Sequence, residues 1–353
     1  MPNTTETAST KLKIDCHVHV VGNGSSGNGC VMRLKGRHRP QAAIMLHQYG
    51  LAQRHLHGDL DGAYIDRLVT MLRGSSLDAA VILAHEWARD DAGKIIEGFG
   101  SLYVPNPYVL DLGKRFPELL PGISIHPARP DALEELERGL AGGAVLMKCL
   151  PNCQNFNPSD KRFTPFWERM AEAGLPLLAH TGGEFSLPVY EPRYCDPALL
   201  ELPLSIGVKV IGAHCGTPSL YFDPDYTDTF ARLLGKYPNL YGDNSGLLTP
   251  VRSRHFAKLL REPYLDRILH GSDIPIPISG LWSMMRRTIG IHDYSRARAE
   301  QNIFERDVQL KRAMGFPEAS FTAASDILRI SPEQRVALAD KQRLRAKELE
   351  RSA

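Results

Sequence analysis

The chain has 353 residues, 43% hydrophobic and 23% charged, enough for a large buried core. Its 42 Lys and Arg against 40 Asp and Glu leave a formal charge of +2 with both signs interspersed, which argues against a general nucleic-acid or membrane-surface binder. No stretch reaches the roughly 18–20 uninterrupted apolar residues of a membrane span. Residues 1–10 lack the apolar segment of a secretory signal. Without an export signal, the six Cys (16, 30, 149, 153, 195 and 215) are expected to be reduced thiols of a cytoplasmic protein. Cys149 and Cys153 have no second pair with which to build a zinc knuckle.

Residues 1–10, rich in Thr, Ser and Asn, read as a disordered leader. A unit then recurs, in which a short apolar run ends on a polar residue and an amphipathic stretch follows. The runs at 11–18, 78–84, 122–126, 144–150, 175–180, 208–214, 240–244 and 267–270 are predicted strands, the rhythm of a parallel sheet built from βαβ units. Between them, 60–72 places Leu60, Tyr64, Ile65, Leu68, Val69 and Leu72 at helical spacing, and 162–173 does so with Phe163, Phe166, Trp167 and Met170 before Gly174. Residues 229–234 and 251–260 fill later helix slots. The first strand is followed by a Gly- and His-rich insertion, 22–59, without evident secondary structure; so long a connection in a compact domain suggests a lid. After the eighth run come about 80 residues of helical pattern. The charged stretch 331–353 is predicted to be a C-terminal helix, either solvated or an arm for a homo-oligomer.

His17-Val18-His19 ends the first run, and residues i and i+2 of a strand share a face, so two imidazoles converge. Alone, a His-x-His pair is weak evidence for a metal. Lys148 lies inside an apolar run, where a Lys is rare without a partner. It is either paired with a carboxylate, a catalytic amine, or an amine whose pKa burial depresses until it takes up carbon dioxide as a carbamate. His180 and His214 close the fifth and sixth runs before Gly-containing loops, and either alone could be structural. Asp273, in Gly271-Ser272-Asp273-Ile274-Pro275, ends the last run, where an Asx-turn is the plain alternative. Six ligand-type residues at the carboxyl ends of strands in a βα repeat form a joint pattern, because those ends build the active sites of (β/α)₈ barrels.

On these residues the chain resembles the amidohydrolase superfamily, in its amidohydrolase-related branch of metal-dependent (β/α)₈ hydrolases and decarboxylases. The resemblance runs from Ile14-Asp15-Cys16-His17-Val18-His19 to Gly271-Ser272-Asp273. It implies a TIM barrel with a long insertion after the first strand and a helical C-terminal extension, occupying 11–330 as one body. It matches His17 and His19 to the family's first-strand pair and Lys148 to the fourth-strand lysine of its two-metal members. His180, His214 and Asp273 match its later ligands. The implied centre holds two divalent ions, zinc or else manganese or cobalt. His17, His19 and Asp273 serve one, His180 and His214 the other, and carboxylated Lys148 bridges them.

The expected activity is hydrolysis of an amide, lactone or related ester of a small molecule, with Asp273 as the acid–base residue. The alternative is a one-metal carboxy-lyase acting on an aromatic or unsaturated acid, since many relatives in this branch use one metal and no carbamate. Lys148 favours hydrolysis. His85, Glu184 and Asn244, at strand ends, are candidates for binding substrate. No nucleic-acid or membrane partner is expected.

Overall fold

The apolar runs become strands where β-branched and aliphatic residues can be buried on both faces, as a parallel sheet covered by helices requires. A computed structural model describes residues 11–261 and 263–352, so the leader expected at 1–10 lies outside the described residues. Eight strands pair in parallel and in chain order: β1 Ile14–His19, β2 Ala79–Leu83, β3 Leu119–Ile123, β4 Leu146–Cys149, β5 Leu177–His180, β6 Val210–Ala213, β7 Leu240–Asp243 and β8 Ile268–Leu269. The last meets the first through Cys16 N–H to the His270 carbonyl at 2.9 Å and Asp273 N–H to the His17 carbonyl at 2.9 Å, which closes the barrel. The expected (β/α)₈ fold is what forms.

The third strand starts three residues earlier than its apolar run suggested, because Pro121 lies inside it. Proline removes one rung of the ladder, but its carbonyl still accepts from Val145 N–H at 2.9 Å. The helix predicted at 60–72 spans Leu60–Arg73, capped by the Asp59 carboxylate on Gly62 N–H at 3.0 Å. The stretch 251–260 divides into a 3₁₀ turn, Arg252–Arg254, and a short helix, Phe256–Leu259.

The barrel interior is apolar in its lower layers: Ile14, Cys16, Val81, Leu120, Leu146, Leu178 and Ile211 form one buried cluster. Ile327, Leu328, Ile330 and Leu338 join it from the C-terminal extension, so the helical tail is packed against the barrel. Leu338 belongs to the terminal helix Pro332–Ser352, which is tied down further by Lys341 on Glu118. Thus the helix expected after residue 331 forms, with its first turns docked.

The 22–59 insertion is more ordered than its composition suggested. It contributes Val31–Met32, paired antiparallel with Leu102–Tyr103, and the helix His38–Gln48. That helix has one buried residue, Leu46, so the sequence carries no clear apolar stripe. Gln48 anchors its end by donating to the Ile278 carbonyl at 2.6 Å and accepting from Ile278 N–H at 3.0 Å.

Outside β8, Lys311 is completely buried and donates to Asp307 and to the Gly271 carbonyl, both at 2.6 Å. Asp15, also buried, accepts from Ser272 N–H at 2.9 Å and His17 N–H at 3.0 Å. These bonds lock the turn that presents Asp273. Lys311→Met leaves Asp307 as an unpaired buried carboxylate and should cost about 3–5 kcal/mol of unfolding free energy. Lys311→Met with Asp307→Leu should recover most of it. Denaturant unfolding checks both; a single-variant loss under about 1 kcal/mol would contradict the clamp.

Candidate metal centre

β1 carries a bulge: Asp15 pairs with Ala80 and Val18 with Ile82, so Cys16 and His17 together oppose one residue. The extra residue changes the inward phase. Ile14 and Cys16 fill the barrel below, while Val18 packs outward and His17 and His19 reach the mouth. On β4 and β5 the inward positions Leu146 and Leu178 are followed, two residues on, by Lys148 and His180. His214 and Asp273 adopt left-handed backbone, with φ of 62° and 66°, which turns each out of its strand over the barrel end. Gly271 lets β8 approach β1 so closely that a Cβ there would stand 2.8 Å from the His17 Cβ.

The six candidate ligands gather at this mouth. His17 Nε2 lies 3.2 Å from His19 Nε2 and 3.4 Å from Asp273 Oδ1, and His19 Nε2 lies 3.3 Å from the same oxygen. Donors about 2.0–2.2 Å from one ion in tetrahedral geometry stand about 3.3–3.5 Å apart, so these three atoms fit a shared cation. Lys148 Nζ is 3.2 Å from His17 Nε2. His214 Nε2 is 4.0 Å from Asp273 Oδ2, and ligand atoms of His17, His214 and Asp273 all fall within 4.8 Å of one another. The His180 and His214 ring centres are 5.1 Å apart, and His180 Nε2 is buried with no hydrogen-bond partner. An orphaned imidazole nitrogen beside these groups fits a metal ligand.

The neighbouring groups prepare the histidines for that task. His17 Nδ1 bonds Asp243 Oδ2 at 2.7 Å, and His214 Nδ1 donates to the Ser245 carbonyl at 3.0 Å. With the proton on Nδ1, each Nε2 offers its lone pair to the site. Burial, reinforced by the Lys148 amine, holds His17 well below the usual imidazole range, and burial does the same to His180 and His214. Burial also lowers the Lys148 pKa, against the opposing pull of Asp243 and Asp273. No carboxylate among the described residues lies within ion-pair distance of Lys148, although Asp243, Asp273 and Glu184 are near enough to act on its charge. At Asp273 burial acts upward, but His17, His19 and Lys148 outweigh it and hold the carboxyl below its ordinary value.

Of the substrate-binding candidates, Glu184 lines a cavity of about 700 Å³ that opens over His180, His214 and Asp273. Its Oε1 accepts from Leu187 N–H at 3.0 Å and its Oε2 stands 3.6 Å from His180 Nε2. His85 and Asn244 are buried and do not line that cavity. His85 follows inward Leu83, and burial pushes its pKa down to about 3. Asn244 accepts from Gly271 N–H at 3.1 Å. Its neighbour Asp243, which sequence reasoning passed over, is the inward residue. The signal was present in the period of two: Tyr241 packs with the interior cluster, so Asp243 shares its face.

The amidohydrolase family model matches residues 14–286, most of the chain and every residue of the cluster. The chain belongs to the amidohydrolase family. Members of this family are metal-dependent enzymes, in keeping with the His and Asp cluster. No curated protein matches the sequence. Among solved structures, an uncharacterised TIM-barrel protein of Bordetella bronchiseptica is 16% identical, with a TM-score of 0.53 over 87% of this chain and 100% of its own, a likeness of fold. An amidohydrolase of Burkholderia multivorans (14% identical, TM-score 0.48, 87% of this chain and 100% of its own) is also similar. So is a 5-carboxyvanillate decarboxylase of Sphingomonas paucimobilis (13%, TM-score 0.49, 91% and 100%). Among the described residues no helix is long and apolar enough to cross a membrane.

Proposed function

We propose that this amidohydrolase is a hydrolase that cleaves an amide, lactone or related ester bond of a small molecule at a two-ion centre. The observation that carries the reading is Lys148: a buried amine 3.2 Å from His17 Nε2, without an ion-pair partner among the described residues. A neutral amine there can add to carbon dioxide, forming an N–C bond and releasing one proton. The product is a carbamate with two oxygens, the ligand that a pair of cations shares. An ammonium at the same place would repel a cation held by His17 and His19. A one-ion lyase has no use for the carbamate.

His17, His19 and Asp273 would hold one ion, His180 and His214 the second, with carboxylated Lys148 between them. Divalent ions there supply Lewis acidity, which makes water a nucleophile near neutral pH and polarises a carbonyl. Asp243 fixes the His17 ring by accepting from Nδ1, and Ser245 does the same for His214. Asp273 has one oxygen, Oδ1, among the ligand nitrogens and a second, Oδ2, toward His214. It is placed to take the proton of the attacking water and return it to the leaving group.

Protein purified without chelator is expected to carry close to two transition-metal ions per chain, zinc by preference. Elemental analysis combined with turnover checks this. One ion at full activity would remove the two-ion reading and favour the carboxy-lyase.

A further inference from the structure

Among the described residues, the lining of the cavity over the centre holds three Asp, Glu, Lys or Arg side chains, Glu184, Arg252 and Asp273, and all three belong to the inner end. Glu184 stands beside His180, and Asp273 beside His17 and His19. Arg252, 5% exposed, turns its guanidinium onto Thr217 and the Gly183 carbonyl. The apolar side chains of the walls include Met45 of the insertion helix, Leu187 and Val251 of the connections after β5 and β7, and Trp282 of the short helix Leu281–Met285 after β8.

The rim continues in kind. Ile44, Phe185 and Tyr221 line the same cavity yet are 60%, 37% and 68% exposed. Large apolar side chains scattered singly need no explanation, but three around one mouth make a patch of the kind that marks a binding surface. Two of them are held in place by stacked guanidinium groups, Arg37 over Phe185 at 4.7 Å and Arg254 over Tyr221 at 4.8 Å. The volume, about 700 Å³, is within the range of pockets that enclose a whole small ligand.

We propose that the substrate carries a linear apolar chain on its scissile ester, lactone or amide, with the reacting carbonyl at the inner end and the chain running past Met45 and Trp282 to the rim at Ile44. This assignment rests on the hydrolase reading above for its reacting group and on the cavity alone for its chain. The polarity fixes the direction. Reversed, an alkyl chain would strip water from Asp273 and Glu184 without replacing their hydrogen bonds, while the polar carbonyl would sit among Ile44, Phe185 and Tyr221. Threaded outward, each added methylene leaves water for an apolar wall.

The test uses the purified, metal-containing protein and two series. Turnover is measured on γ-lactones from γ-butyrolactone to γ-dodecalactone and on 4-nitrophenyl esters from acetate to decanoate. Binding is measured by calorimetry with 1-butanol through 1-decanol, which cannot be hydrolysed. Both kcat/KM and alkanol affinity are expected to rise about two- to fourfold per methylene until the chain clears the rim. Ile44→Asp and Phe185→Asp should each lower the long-to-short ratio in both series by about tenfold. Met285→Asp, which replaces an exposed apolar side chain outside the cavity, should keep that ratio.

Hydrolysis with a flat or falling chain dependence would overturn the proposal and leave the hydrolase reading standing. Steep alkanol binding that Ile44→Asp abolishes, with no member of either series hydrolysed, would uphold the apolar-chain site and remove the hydrolase reading. Alkanol affinity independent of length would overturn the proposal whatever the turnover shows.

Discussion

Lys148→Ala is expected to lose metal and activity together, with turnover reduced by at least about a hundredfold, the scale of losing Lewis-acid stabilisation at a metal centre. Short carboxylic acids or bicarbonate should restore part of both, because a free carboxylate can occupy the space that the side chain leaves. Lys148→Arg should not be rescued by its charge, since a guanidinium stays protonated and cannot form a carbamate. Lys148→Met separates chemistry from folding. The amine is buried with no ion-pair partner among the described residues, so an apolar side chain of similar length should leave the unfolding free energy of the metal-free protein equal or higher while activity falls. Metal analysis, turnover and denaturant unfolding on the three variants check this. If Lys148→Ala keeps its metal and releases carbon dioxide from an aromatic acid, the hydrolase reading is wrong.

The repeat, and the gathering of His17, His19, Lys148, His180, His214 and Asp273 at one end of it, were legible in the sequence because both depend on local periods. A strand buried on two faces shows as an unbroken apolar run, and a polar residue that ends several such runs stands out whatever the register. What the sequence hides is phase. The bulge at Cys16 and His17 re-aims the histidine pair, but nothing in Ile14-Asp15-Cys16-His17 announces it, since bulges answer to the neighbouring strand. Counting by two from Tyr241 reaches Asp243, whereas attention to the end of the run at 244 led to Asn244, which accepts from Gly271 N–H in the turn after β8.

The insertion was harder for a different reason. Helix His38–Gln48 buries one residue of its own and directs Ala42 and Met45 at a cavity, so its apolar content belongs to a surface that exists only after folding. Lys311 and Asp307 are a further case. Spaced four apart on the helix Ile303–Met314, they have the spacing that exposed ion pairs use, yet both are buried against the turn carrying Asp273. Burial of a charged pair depends on the tertiary surface above it, and no local pattern records that.

Asp273→Asn is expected to reduce kcat by about a hundredfold or more, the usual scale for a lost acid–base group, while more metal remains than in Lys148→Ala. The backbone makes this substitution informative. Asp273 has φ of 66°, a conformation that Asn tolerates at least as well as Asp and that Ala does not, and its carbonyl accepts from Ile276 N–H at 2.8 Å, a backbone bond that the substitution does not touch. The turn should therefore survive, and the amide oxygen can stay beside His17 and His19 as a neutral ligand. What is lost is a basic oxygen. Asp273→Ala would strain the same turn and confuse the two effects. Glu184→Gln is the matching control, because Glu184 is the other carboxylate that faces the cavity and stands 3.6 Å from His180 Nε2. Steady-state kinetics with metal analysis on both variants decides the role. A hundredfold loss of kcat in Glu184→Gln with near-normal turnover in Asp273→Asn would move the proton-transfer step to Glu184 and leave Asp273 as a ligand only.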